Sequence, residues 1–149
     1  MKPTFQEKIY SIFSAVASSL GYSEVHGRII SGLLVADKPL SLDELTALTS
    51  YSPASVSLSL DLLEILGVIK RVKHKGDRKL YVRLDGDLLE ALRSALLIKL
   101  RKEIAHTLNE FEAMKSNNKN KKTVKAIEHE VKRLDEYVKR LSKVPIPKR

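Results

Sequence analysis

Residues 68–84 constrain the fold of this chain more than any other stretch. Val68-Ile69-Lys70-Arg71-Val72-Lys73-His74 and Lys79-Leu80-Tyr81-Val82-Arg83-Leu84 are β-rich runs, and Lys75-Gly76-Asp77-Arg78 between them is a glycine turn. Two such runs joined by a short glycine-containing loop read as a hairpin. The same stretch is the densest positive segment of the sequence. Residues 67–84 hold seven Lys or Arg against one acid, a net +6, whereas residues 1–66 hold four basic and seven acidic side chains. Residues 85–149 contribute the rest of a formal charge of +9. Excess positive charge points to a polyanionic partner, nucleic acid first. Its concentration on one hairpin says where such a partner is gripped.

Four helices are predicted ahead of the hairpin. Phe5, Ile9, Ile12, Phe13, Val16 and Leu20 recur at helical spacing over about 4–20. Gly21 ends that pattern, and Ser23 caps a second helix in which Val25, Ile29, Ile30, Leu33 and Leu34 repeat it. Asp37-Lys38-Pro39 breaks the second pattern. Ser41-Leu42-Asp43-Glu44 is a capping box, in which the Ser hydroxyl takes an amide proton and the Glu reaches back. It opens a short third helix whose apolar side is Leu42, Leu45 and Leu48. After the turn Thr49-Ser50-Tyr51, Ser52-Pro53 starts a fourth helix with a serine cap and a proline where its missing N–H costs nothing. That helix runs to Leu66, and Gly67 supplies a left-handed exit.

This order is a helix-turn-helix followed by a wing. The fold class expected is mainly α (α+β winged helix), with long flanking dimerisation helices. A helix-turn-helix lays its second helix in the DNA major groove, and a basic hairpin beside it reaches backbone or minor groove. Lys38-Pro39-Leu40-Ser41-Leu42-Asp43-Glu44-Leu45, Ser55-Val56-Ser57, Leu63-Glu64, Gly67-Val68-Ile69-Lys70-Arg71 and Lys75-Gly76-Asp77-Arg78-Lys79 resemble the winged-helix regulators of the MarR superfamily, specifically its GbsR-type branch. The resemblance is close over about 25–85 and covers the flanking helices in layout only. It implies a homodimeric transcription regulator, usually a repressor, that binds inverted-repeat double-stranded DNA. It also implies a dimer interface built from helices at both ends of the chain. By the resemblance, the helix from Ser52 is the recognition helix and Lys75 to Lys79 the wing tip. Many relatives also sense a small-molecule effector between the dimer helices and the winged domain, but no residue here identifies one.

The chain departs from its relatives where they carry basic residues on the recognition helix. Pro53 and Asp61 occupy those places, and no Lys or Arg occurs from Tyr51 to Leu66. Ser41, Ser52, Ser55 and Ser57 are candidate DNA contacts, although serine pairs with several bases and reads sequence poorly. They serve equally well as caps and solvent-facing residues. Leu58 can touch a thymine methyl. Asp61 repels phosphate unless it accepts from a cytosine amine. Leu62 and Ile65 are expected to pack on neighbouring helices. On the wing, Arg78 is the candidate for minor groove or phosphate, with Lys73, Lys75 and Lys79 as phosphate-binding point charges. Asp77 reads as a turn former.

Beyond the hairpin, Asp85 and Asp87 suit a helix start. Leu89, Leu92, Leu96, Leu100, Ile104, Leu108 and Phe111 mark the stripe of a long helix. The polar segment Ser116-Asn117-Asn118-Lys119-Asn120-Lys121-Lys122 separates it from a last helix over about 123–143. There Val124, Ile127, Val131, Leu134, Val138 and Leu141 alternate steps of three and four, a heptad seam suited to helix pairing. The expected dimer interface therefore comprises Phe5, Ile9, Leu96, Leu100 and this seam. Packing of the seam on the long helix of its own chain is the alternative. The organisation expected is an N-terminal dimerisation helix (1–22), a winged helix-turn-helix domain (23–84) and a C-terminal dimerisation region (85–149).

The remaining chemistry is excluded by composition and spacing. The absence of cysteine removes disulfides, thiolate nucleophiles and Cys-type zinc sites. His26, His74, His106 and His129 are scattered, so no metal site is indicated. Glu103, His106 and Glu110 share a helix face and read as salt-linked surface residues. There is no glycine-rich phosphate loop and no nucleophile–base pair. No enzyme activity and no cofactor are expected. No apolar run approaches the roughly 18 residues of a membrane span, and the start is not a signal peptide, so a cytoplasmic protein is the default. Two other functions fit the same residues. One is a nonspecific or architectural DNA binder with a neutral reading helix. The other is a winged-helix protein-interaction module using Leu58, Leu62 and Ile65.

Overall fold

The computed structural model describes every residue except Asn117, and every side chain except those of Asn117 and Asn118. Its elements are α1 (Phe5–Ser19), α2 (Glu24–Ala36), β1 (Leu40–Ser41), α3 (Leu42–Thr49), α4 (Pro53–Ile65), β2 (Ile69–Lys73), β3 (Leu80–Leu84), α5 (Leu88–Met114), a 3₁₀ turn (Asn118–Asn120) and α6 (Lys121–Leu141). The chain divides into two compact units, Met1–Ala91 and Leu92–Arg149. Of the polar segment expected between the last two helices, Asn117 lies outside the described residues.

Each of the first four helices starts on a side-chain cap. Thr4 and Glu7 close a capping box on α1. Ser23 caps α2, with His26 Nδ1 accepting from the Ser23 amide at 3.1 Å. On α3 the Ser41 hydroxyl accepts from the Glu44 amide at 3.2 Å, and the Glu44 carboxylate accepts from the Ser41 amide at 2.7 Å. That backbone donor holds the Glu44 carboxyl below its ordinary pKa. The exits are equally local. Asp37 and Ser50 take left-handed conformations after α2 and α3, and Gly67 does so after α4. Ser50 therefore carries, at a non-glycine residue, the backbone reversal that turns α3 into α4.

The hairpin forms in the expected place, with Ile69 opposite Leu84, Arg71 opposite Val82 and Lys73 opposite Leu80. A short third strand joins it. Leu40 and Ser41 pair antiparallel with Val82 and Tyr81, so the sheet order is β1-β3-β2. The core of the first unit gathers Ile29 and Leu33 from α2, Leu45 from α3, Val56, Leu60 and Leu63 from α4, and Ile69 and Val82 from the sheet. α1 lies close against α2 at Gly27. A Cβ there would overlap the Phe13 backbone and sit 2.7 Å from the Ser14 nitrogen. Three helices and a small antiparallel sheet around one core make a winged helix-turn-helix.

In the second unit α6 runs back along α5. Val138 is fully buried against Leu97 and Ile104, with Leu100, Leu108, Val131 and Leu141 around them. Lys115 reaches Glu128 at 2.6 Å near one end of the pair, and Arg93 donates to the Val144 carbonyl near the other. α6 has no side-chain cap but carries Glu128–Lys132, Asp135–Lys139 and Glu136–Arg140 ion pairs one turn apart, a spacing that supports a helix in water. Among the described residues no helix is long and apolar enough to cross a membrane.

Candidate nucleic-acid interface

α4 begins on a serine cap with no acid in its first turn, which leaves the positive end of the helix dipole uncompensated by its own side chains. The Ser52 hydroxyl accepts from the Ser55 amide at 3.2 Å and donates to the Ser55 hydroxyl at 3.0 Å. The two side chains thus hold each other at the exposed end of the helix. Ser57 is half-buried. Ser41 is buried, and its hydroxyl is occupied by the α3 cap. Facing outward on α4 are Ala54, Leu58, Asp61 and Ile65. Leu58 is 71% exposed and Ile65 is 81% exposed. Ile65 is therefore not packed on a neighbouring helix as the sequence pattern suggested, because the core takes Leu60 and Leu63 from this end of α4. Leu62 is only half-buried.

Asp61 has a partner that spacing along the chain does not reveal. Arg71 of β2 donates to Asp61 at 2.6 Å and to Glu64 at 2.6 Å, so one guanidinium spans both acids of the helix. Partial burial of Arg71 opposes its charge, but these bonds outweigh it and raise its pKa above the ordinary value. Ion pairs this exposed contribute at most about 1 kcal/mol each. Their consequence is geometric and electrostatic. The first strand of the hairpin is tied to α4, and the acids of α4 are neutralised where they would repel phosphate.

The hairpin tip is held by Asp77, as its turn-forming character predicts. Its carboxylate accepts from the Lys79 amide and from the Tyr81 hydroxyl, both at 2.9 Å, and its own amide donates to the His74 carbonyl at 3.0 Å. The Lys79 amide and then the Tyr81 hydroxyl hold the Asp77 carboxyl below its ordinary pKa, and the same bond raises that of Tyr81. The His74 and Tyr81 rings lie 4.4 Å apart across the strands. Lys73, Lys75, Arg78 and Lys79 are all exposed on this fixed frame. Lys79 approaches Asp43 of α3 only to 4.0 Å, and Arg83 lies 3.3 Å from Asp85. Among the described residues Lys73, Lys75 and Arg78 form no ion pair. The positive charge of the segment is thus thinned at its root and concentrated at its tip.

The residues expected to pair two subunits separate into two groups. Val138 is fully buried within the chain and Val124 is buried, while Val131, Leu141 and Leu100 pack around the α5–α6 cluster. Surface already covered by the same chain is not offered to a partner. Ile127, Leu134 and Leu96 are exposed, as is Phe5 on α1, and Ile9 is half-buried. The valine positions of the heptad therefore serve the intramolecular packing that was the alternative reading. Its isoleucine and first leucine, with the neighbouring exposed Tyr137, do not.

No family model matches the sequence, and no curated protein matches it. Among solved structures, a crystal structure of a transcriptional regulator superposes with a TM-score of 0.70 at 18% identity, covering 94% of this chain and 97% of that one. At that identity the likeness shows the fold. More distant are a MepR mutant of S. aureus bound to an oligodeoxyribonucleotide (TM-score 0.47, 18% identity, 80% of this chain and 90% of that one) and NadR in complex with 4-hydroxyphenylacetate (0.46, 19%, 90% and 86%).

Proposed function

We propose that this chain is a homodimeric winged-helix transcription regulator of the MarR superfamily, GbsR-type, acting on double-stranded DNA as a repressor. The observation that carries the reading is the hairpin tip. Among the described residues Lys73, Lys75 and Arg78 form no ion pair, and they stand on a turn fixed by Asp77, in the same compact unit as an α4 N-terminus free of acids. In this reading α4 enters the major groove, Ser52, Ser55 and Ser57 lie near the backbone, and Lys73, Lys75, Arg78 and Lys79 hold phosphates as a wing. Ser41 contributes by fixing the start of α3. Exposed Phe5, Leu96, Ile127 and Leu134 supply the apolar surface for a second copy, so that two recognition helices meet two half-sites about one helical turn apart. The reading contains no catalytic step, and a duplex-DNA partner is consistent with a cytoplasmic protein.

The test separates a regulator from an architectural binder. Duplexes selected by the protein from a random pool are competed against unselected duplex at fixed salt. The regulator predicts preference by about 10³ or more for the selected site. A ratio near one overturns sequence-specific regulation in favour of nonspecific binding.

A further inference from the structure

We propose that α4 reads sequence through thymine methyl groups, with Leu58 as the specificity-determining residue. The inference rests on the proposed DNA-binding function and names what that site recognises.

It follows from what the exposed side of α4 has left to offer. No Lys or Arg occurs between Tyr51 and Leu66, so the bidentate readout of guanine by a long basic side chain is absent from this helix. Asp61 and Glu64, the outward carboxylates suited to accept from a cytosine amine, are both paired with Arg71 at 2.6 Å. The Ser52 hydroxyl is occupied by the cap and by Ser55, and Ser55 and Ser57 are both half-buried. The exposed side chains of the N-terminal two turns that remain are Pro53 at the helix start, Ala54 and Leu58, the last 71% exposed. The unpaired cations of the hairpin supply the phosphate complementarity that seats this apolar face on a duplex rather than on an apolar protein surface. In the major groove the one apolar feature of a base edge is the thymine 5-methyl. Four residues of helix advance about 6 Å, close to two base steps of about 3.4 Å. Ala54 and Leu58 therefore address thymines about two steps apart.

The experiment uses the full-length protein and duplexes selected from a random pool. Each is made with thymine or with deoxyuridine, which removes only the methyl. Wild type and Leu58→Ala are titrated against both, and thermal melting confirms that the exposed substitution leaves the fold intact. Burial of one methyl is worth about 0.8 kcal/mol, or about a fourfold change in affinity. Wild type is expected to lose about fourfold per contacted thymine on uracil substitution, and Leu58→Ala to bring the thymine-to-uracil ratio towards one. Salt-dependent binding with a wild-type ratio of one overturns the inference and leaves DNA binding standing. A ratio that Leu58→Ala does not change overturns the assignment to Leu58. Absence of salt-dependent binding overturns both, and a protein captured through Leu58 would then account for the exposed face.

Discussion

The two compact units solve the same problem differently. In residues 1–91 each of the first four helices begins on its own side-chain cap, and the apolar positions of α2, α3 and α4 converge on one core with the sheet. In residues 92–149 two long helices share a narrow cluster centred on Val138. α6 begins without a side-chain cap, and Leu96, Ile98, Ile127, Leu134 and Tyr137 remain exposed. The first unit draws one core from three helices and a sheet, yet leaves Phe5, Leu58 and Ile65 exposed beside its charge. The second has only the narrow cluster between two helices and leaves both flanks of it exposed. Exposed apolar side chains at Leu96, Ile127 and Leu134 are this unit's share of the surface proposed for a partner copy.

The largest expected effect breaks the first half of that contrast. Leu45 is fully buried in the first core, so Leu45→Ala should cost about 2–5 kcal/mol. Hydrogen exchange should accelerate through α2, α3 and α4. Retained protection there would show that the core is not the common support of these helices.

The second half is broken at the seam. An apolar side chain buried at an interface contributes about 1.5–3 kcal/mol. The pair Ile127→Asp and Leu134→Asp, both at exposed positions, should therefore weaken self-association by more than about tenfold. Sedimentation should show monomer at concentrations where the wild type is a dimer, with helix content unchanged. A dimer that persists would place the interface elsewhere.

How much of this was legible in the sequence follows the range of each interaction. The caps at Ser41 and Ser52, the exit at Gly67 and the hairpin around Gly76 were readable because each is settled within a few residues. The Thr4–Glu7 box has the same spacing as Ser41–Glu44 and is equally local. β1 was not readable, since two residues carry no periodicity and exist as a strand only through Val82 and Tyr81, some forty positions on. The Arg71 bridge to Asp61 and Glu64 joins a strand to a helix and needs the fold to be seen. The heptad marks an apolar seam, but periodicity does not say whose helix fills it. The structure gives Val124, Val131 and Val138 to the chain itself and leaves Ile127 and Leu134 outside. Likewise the spacing of α4 did not reveal that Ile65 is left exposed while Leu63 before it and Leu66 after it meet the core.

A smaller effect sharpens the account of the tip. The folded state holds the Asp77 carboxyl below its ordinary value of 3.8, so its stabilising contribution is present above that value. It is lost as pH falls through the lower folded value. The side-chain carboxyl carbon resonance of Asp77 should titrate with its midpoint below 3.8. A transition near pH 5 would show that the carboxylate does not organise the turn.

The central claim is that the unpaired cations of the hairpin tip grip the DNA backbone. It is tested most directly by the salt dependence of duplex binding for wild type and for Lys75→Ala with Arg78→Ala. The double variant should bind more weakly, and its slope of log affinity against log salt should fall by up to about 2. Affinity and slope equal to wild type would contradict the claim.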